Sequence, residues 1–141
     1  MSERPPETRH LPVPDAETEP YWTAAAEGRL VFRRCEACEH AYHYPRARCP
    51  RCLSDRVRWE DASGNGTIHT YTVVRQNGAR PFRDRLPYVL ALVDLDEGPR
   101  LMSTVEGCPV DAVEIGARVR AAFRPESDDI TLPVFELETT P

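Results

Sequence analysis

The chain has 141 residues, 40% of them hydrophobic, and a formal net charge of −5 at pH 7. That length can hold one ordinary domain with a small appendage, and no segment approaches the ~20 consecutive apolar residues a membrane span requires. The acidic balance argues against general nucleic-acid binding. All 18 basic residues are arginine, and a chain-wide absence of lysine reflects coding bias more often than selection at a site, so no function follows from it.

Met1 to Asp15 is rich in proline and charge and has no periodic apolar pattern, which predicts a mobile or partner-wrapping arm. Thr18 to Glu27 reads as a short helix, with Pro20 in its first turn, an alanine run, and Gly28 as the stop. A helix so short is marginal alone, so Tyr21 and Trp22 are expected to dock on the body of the protein or on a partner subunit.

Leu30 to Phe32 leads as a strand into the most specific signal of the chain. Cys35 and Cys38, then Cys49 and Cys52, form two C-x-x-C pairs ten residues apart. Four thiolates delivered as two knuckles suit a closed tetrahedral zinc site with Zn–S near ~2.3 Å and no open position, so one structural Zn²⁺ per chain is expected. Two disulfides or a thioredoxin-like redox pair are the competing readings. A redox C-x-x-C opens a helix within a βαβ pattern, whereas these pairs lie among arginines and prolines. No apolar signal-peptide core precedes the cysteines, which points to the reducing cytoplasm, where disulfides are rare. His40 and His43 are read as surface or packing residues, because four cysteines already fill the site, and Ala41 to Pro45 as the return segment between the knuckles. Between Leu30 and Arg58 seven arginines face three acidic residues, a locally basic ribbon that keeps a phosphate-binding face open. Cys108, beside Gly107 and Pro109, has no companion motif and is read as a small residue in a turn.

From Gly64 onward the pattern is all-β. Thr67 to Val74 is a β-branched strand, Tyr88 to Leu95 an apolar one, and Asp96-Glu97-Gly98 turns it into Arg100 to Val105. Val110 to Ile115 is placed as a short helix or turn, followed by strands at Val119 to Phe123 and Leu132 to Leu137. Pro133 restricts the last to an edge or a strand start. Five strands with a long first connection predict a mainly β chain: a short N-terminal helix, a zinc ribbon, then a five-stranded OB-fold Greek-key barrel. The expected boundaries are 1–29 for the arm and helix, 30–60 for the ribbon and 61–141 for the barrel.

The long connection, Arg75 to Arg85, combines four arginines with one aromatic, a set suited to clamping phosphates and packing on a flat base. Docking on a protein partner is the equal alternative. There is no Ser/His/Asp order, paired-carboxylate motif, phosphate-cradling glycine loop or open metal site, and His69 reads as a barrel-surface residue, so no catalytic residue is expected.

Taken in order, several short motifs resemble the DUF35 family of OB-fold proteins with an N-terminal rubredoxin-like zinc ribbon. They are Pro20-Tyr21-Trp22, Ala26 to Leu30, Arg34-Cys35-x-x-Cys38, Tyr44-Pro45-Arg46, Cys49-Pro50-x-Cys52, Gly64-x-Gly66-Thr67, Tyr71 to Val74, Pro87-Tyr88, Val93-x-Leu95-x-Glu97-Gly98, and Ile115-Gly116 followed by Val119. The resemblance implies a non-catalytic accessory subunit of a thiolase-superfamily enzyme acting on acyl-CoA. The partner would be a thiolase or a lipid-transfer-protein-like aldolase that shortens steroid side chains, in an enzyme dimer flanked by two copies of this chain, a heterotetramer. It also implies help in holding the CoA moiety, for which Arg80, Phe82 and Arg83 are the candidate contacts. A nucleic-acid-binding ribbon/OB module is the alternative, disfavoured by the acidic barrel and its few aromatics.

Overall fold

The computed structural model describes residues 11–138; the predicted arm falls largely on residues 1–10 and so lies outside the described residues. Helix α1 spans Glu19–Ala26, within the predicted Thr18 to Glu27, with Pro20 in its first turn. Asp15 and Thr18 lock its entry reciprocally: the Asp15 carboxylate accepts the Thr18 amide at 2.9 Å, and the Thr18 hydroxyl accepts the Asp15 amide at 3.0 Å. At the other end the Gly28 and Arg29 amides donate back to the Ala25 and Ala24 carbonyls at 3.0 and 2.9 Å, a closing turn that Gly28 permits by adopting φ +77°. The helix docks on its own chain, with Tyr21, Ala24 and Ala25 buried.

Strands β1 (Val31–Cys35), β2 (Ala41–Tyr42) and β3 (Val57–Asp61) form an antiparallel sheet in the order β2-β1-β3. β3 was not among the predicted strands. It alternates Val57 and Trp59 with charged residues and is fixed by tertiary pairing: all five of its residues match β1, from Val31 opposite Asp61 to Cys35 opposite Val57. The Arg33 guanidinium stacks over the Trp59 ring at 4.3 Å.

β4 (Asn65–Val74), β5 (Tyr88–Leu95), β6 (Arg100–Glu106), β7 (Arg118–Pro125) and β8 (Thr131–Leu137) close a barrel in the order β4-β5-β6-β8-β7. This is the predicted five-stranded OB-type barrel on a mainly β chain. A bulge between Ile68 and Thr70 reverses the facing of β4 half way along. β5 alternates strictly: Val89, Ala91, Val93 and Leu95 are buried, while Tyr88, Leu90 and Leu92 point outward and stay half-buried. Only Val105 and Glu106 of β6 pair with β8, in parallel. Pro133 is therefore tolerated inside β8, because at that position the strand has a ladder partner on one side alone, Phe123 of β7. The predicted helix or turn after β6 is a single 3-10 turn at Val110–Ala112.

One core joins these parts. Tyr21, Ala24, Leu30 and Val31 pack in the same buried cluster as Ile68, Val93, Val119 and Phe135 of the barrel. Burying each large apolar side chain contributes ~1.5–3 kcal/mol, so the base of the ribbon and the helix gain their stability from the barrel.

Candidate metal centre and barrel-side cavity

The two knuckles are built alike. In the first, the Cys35 amide donates to the His40 carbonyl and the Glu39 amide to the Cys35 carbonyl, at 2.9 and 2.8 Å; in the second, Cys49 donates to Ser54 and Leu53 to Cys49, each at 2.9 Å. The residue after the second cysteine of each pair, Glu39 and Leu53, takes a left-handed φ of 65° and 67°. That reversal turns each pair of sulfurs inward. The Sγ atoms of Cys35, Cys38, Cys49 and Cys52 all lie within 4.8 Å of one another, with Cys35 to Cys52 at 3.5 Å and Cys38 to Cys49 at 3.6 Å. A tetrahedron with Zn–S of ~2.3 Å has edges of about 3.8 Å, so the spacing fits such an ion.

The electrostatics agree. Burial pushes the Cys49 thiol up, but the backbone amides of Cys52 and Arg51 and the neighbouring sulfurs outweigh it and bring the group down to about 7. Cys35 is lowered in the same way, burial being opposed by the amides of Cys38 and Ala37. At Cys38 a backbone hydrogen bond at His40 favours the thiolate, yet burial and the other three sulfurs prevail and push it up to about 12. Cys35, Cys38 and Cys49 thus hold their protons unequally, and a cation that displaces them would bind with proton release.

Neither histidine ring joins the sulfur cluster. His40 stacks on Tyr42 with ring centroids 5.7 Å apart. His43 sits between Tyr21 and Tyr44, at 5.3 and 4.5 Å. Arg34 braces the first knuckle, donating from Nη1 to the Glu39 carbonyl at 3.0 Å and from Nε to Glu60 at 3.0 Å.

The predicted Arg75–Arg85 connection arches over one end of the barrel and includes a 3-10 turn at Phe82–Arg85. Of the three residues expected to touch CoA, Phe82 lines a cavity of about 360 Å³ beside strands β5 and β6; Arg80 and Arg83 are exposed and lie outside its walls. Pattern reasoning missed Arg124, whose strand neighbours gave no sign of a site. Together with Arg85 it holds the Glu126 carboxylate, at 2.8 and 3.0 Å. Cys108 also lines the cavity, and burial raises its thiol above the ordinary value. His69 is on the outer surface beside Arg100, 3.2 Å from Nδ1 to Nη2.

With this geometry in hand, two family models match the chain: the ChsH2 rubredoxin-like zinc ribbon domain over residues 22–58 and the ChsH2 C-terminal OB-fold domain over residues 59–124. A DUF35 domain-containing scaffold protein of Methanocaldococcus jannaschii is 34% identical over 102 residues, 71% of each chain. The chain belongs to the DUF35 family. Among DUF35 relatives of known structure, a chain of the Ltp2-ChsH2(DUF35) aldolase superposes with a TM-score of 0.79 at 35% identity, covering 89% of this chain and 98% of that one. A protein of Thermomonospora curvata described as a probable enoyl-CoA hydratase alpha subunit is 35% identical over 133 residues, 94% of this DUF35 chain; the chain spans 41% of that subunit's length. No helix among the described residues is long and apolar enough to cross a membrane.

Proposed function

We propose that this DUF35 protein is a non-catalytic accessory subunit that binds and supports a thiolase-superfamily enzyme, a thiolase or a lipid-transfer-protein-like aldolase, acting on acyl-CoA. One observation carries the reading: nearly the whole of an aldolase-associated DUF35 chain aligns with this one at 35% identity. The similarity to an enoyl-CoA hydratase subunit supports the same substrate class. Cys35, Cys38, Cys49 and Cys52 hold one zinc ion, which closes the ribbon and takes no part in chemistry. In a four-sulfur site the ion has no position left for water or substrate.

Affinity-tagged chain recovered from its native cells is expected to bring down a thiolase-superfamily subunit, with a mass by light scattering of two enzyme and two accessory chains. Recovery of nucleic acid in place of any such enzyme overturns the reading. Arg80 and Arg83 are assigned to the CoA phosphates, with Phe82 against the flat base. Among the described residues neither guanidinium has a carboxylate within ion-pair distance, so both are free to take charge-assisted contacts. Arg80→Ala and Arg83→Ala should each weaken acyl-CoA binding to the complex by about tenfold, measured by calorimetry, and the wild-type affinity should fall with salt. Unchanged affinity in both variants would leave the loop as a docking element.

A further inference from the structure

The cavity between the Phe82–Arg85 turn and strands β5 and β6 has a chemistry of its own. Its walls are Phe82, Tyr88, Leu90, Val105 and Val110, with the Cys108 thiol set among them. About 360 Å³ lies within the usual range for small-molecule pockets. The charged groups at its edge pair with one another. Arg85 and Arg124 share Glu126, whose side chain is only 5% exposed, and Arg124 also pairs with Glu106. Glu106 in turn accepts the Thr104 hydroxyl at 2.7 Å. Among the described residues two arginines stand against two glutamates, so no net charge there is left for an anion to neutralise, and an anion entering would lose its water without a counter-charge. Size points the same way. At ~30 Å³ per water-sized group the space holds roughly a dozen non-hydrogen atoms, less than half of those in a nucleotide bearing a diphosphate.

We propose that this cavity binds an uncharged aliphatic chain of roughly eight to twelve non-hydrogen atoms. The naming of that chain as the acyl group of an acyl-CoA rests on the function proposed above; the pocket's preference for a neutral chain does not. A nucleotide head, where one is present, stays outside, on the side of Arg80 and Arg83.

The zinc-loaded full-length chain offers Cys108 as its reactive thiol, with the ribbon thiols held by metal and Cys108→Ser setting the background. The rate of Cys108 alkylation by N-ethylmaleimide would be followed with 1-octanol, with octanoyl-CoA and with adenosine 3′,5′-bisphosphate. 1-Octanol is expected to slow the reaction saturably, roughly tenfold at ten times its Kd, and octanoyl-CoA to do the same, while the bisphosphate has no effect. Val110→Trp, which fills the space from the 3-10 turn, should remove the protection, and Phe82→Ala should weaken it. Should Val110→Trp fail to fold, Phe82→Ala and amide shift mapping on the wild-type chain, expected at Leu90 and Val105, carry the same decision. Absence of saturable protection by 1-octanol, protection unchanged in the variants, shifts mapping elsewhere, or protection by the bisphosphate alone overturns the proposal. Protection by 1-octanol without protection by octanoyl-CoA keeps the pocket and overturns the acyl-CoA reading.

Discussion

At the residue scale, the glycine and proline motifs of the sequence acquire physical reasons. A Cβ on Gly66 would lie 2.7 Å from the Asp94 carbonyl oxygen and 2.9 Å from Val93 Cγ1, where β4 crosses β5. The first contact is with backbone and cannot be relieved by a rotamer change. Gly66→Ala should therefore cost about 1–3 kcal/mol in urea unfolding, the range for overpacking, whereas Gly78→Ala, with nothing within 4 Å, should be near neutral. Glu97 of the Glu97-Gly98 turn accepts the Ser63 amide at 2.7 Å, which explains a carboxylate there that hairpin chemistry alone does not require. His43 was legible only as a surface or packing residue, and its buried surroundings give the packing role a pH signature. Burial lowers it from 6.5 to about 4. Its folded value is below the unfolded one, so as pH falls the unfolded chain takes the proton first; the stability from keeping the ring neutral is present above about 6.5 and is lost progressively down to about 4. Unfolding midpoints measured across that window should fall for the wild type and lose this step in His43→Gln.

At the scale of elements, the five barrel strands and the helix could be read from alternation, turn residues and the Pro20/Gly28 pair, because each announces itself over its own length. β3 could not, since its five residues are held by pairing with β1 across the whole ribbon loop. The clustering of the four cysteines was legible from spacing alone, because two C-x-x-C turns admit few other uses. The Arg85-Glu126-Arg124 group was not: it joins a loop to the far ends of the barrel, 41 positions apart between Arg85 and Glu126. The ribbon also divides into two energetic parts. Leu30 and Val31 share the barrel core, while Cys35, Tyr42 and Cys49 are buried around the cysteine cluster. Structural zinc in small ribbons supplies ~10–16 kcal/mol of apparent binding energy. Chelation, or Cys49→Ser, should thus strip hydrogen-exchange protection from the Cys35, Glu39, Cys49 and Leu53 amides and leave that of Ile68 and Val93 in place. Loss of protection throughout the barrel would mean that the two halves fold as one unit.

At the scale of the molecule, the assembly prediction needs a cut that spares the core. Removing residues up to Glu27 would delete Tyr21 and Ala24 from the shared cluster and confound folding with binding. Removing residues 1–10 alone should leave zinc content unchanged and weaken co-purification with the enzyme; unchanged assembly would exclude the arm as a contact. Domains joined by a linker ordinarily move against each other unless a large apolar interface prevents it. Here Ala62 to Gly64 are all that separate β3 from β4, the Ala62 amide donates to the Leu30 carbonyl at 2.8 Å, and Arg29 holds Asp61 at 2.9 Å. With the helix and ribbon base set into the barrel's own core, the joint has no hinge. A surface held by the knuckles and a surface held by the barrel are then kept at one distance and one bearing, so the chain works as a gauge block, fixing the geometry between whatever it touches at its two ends.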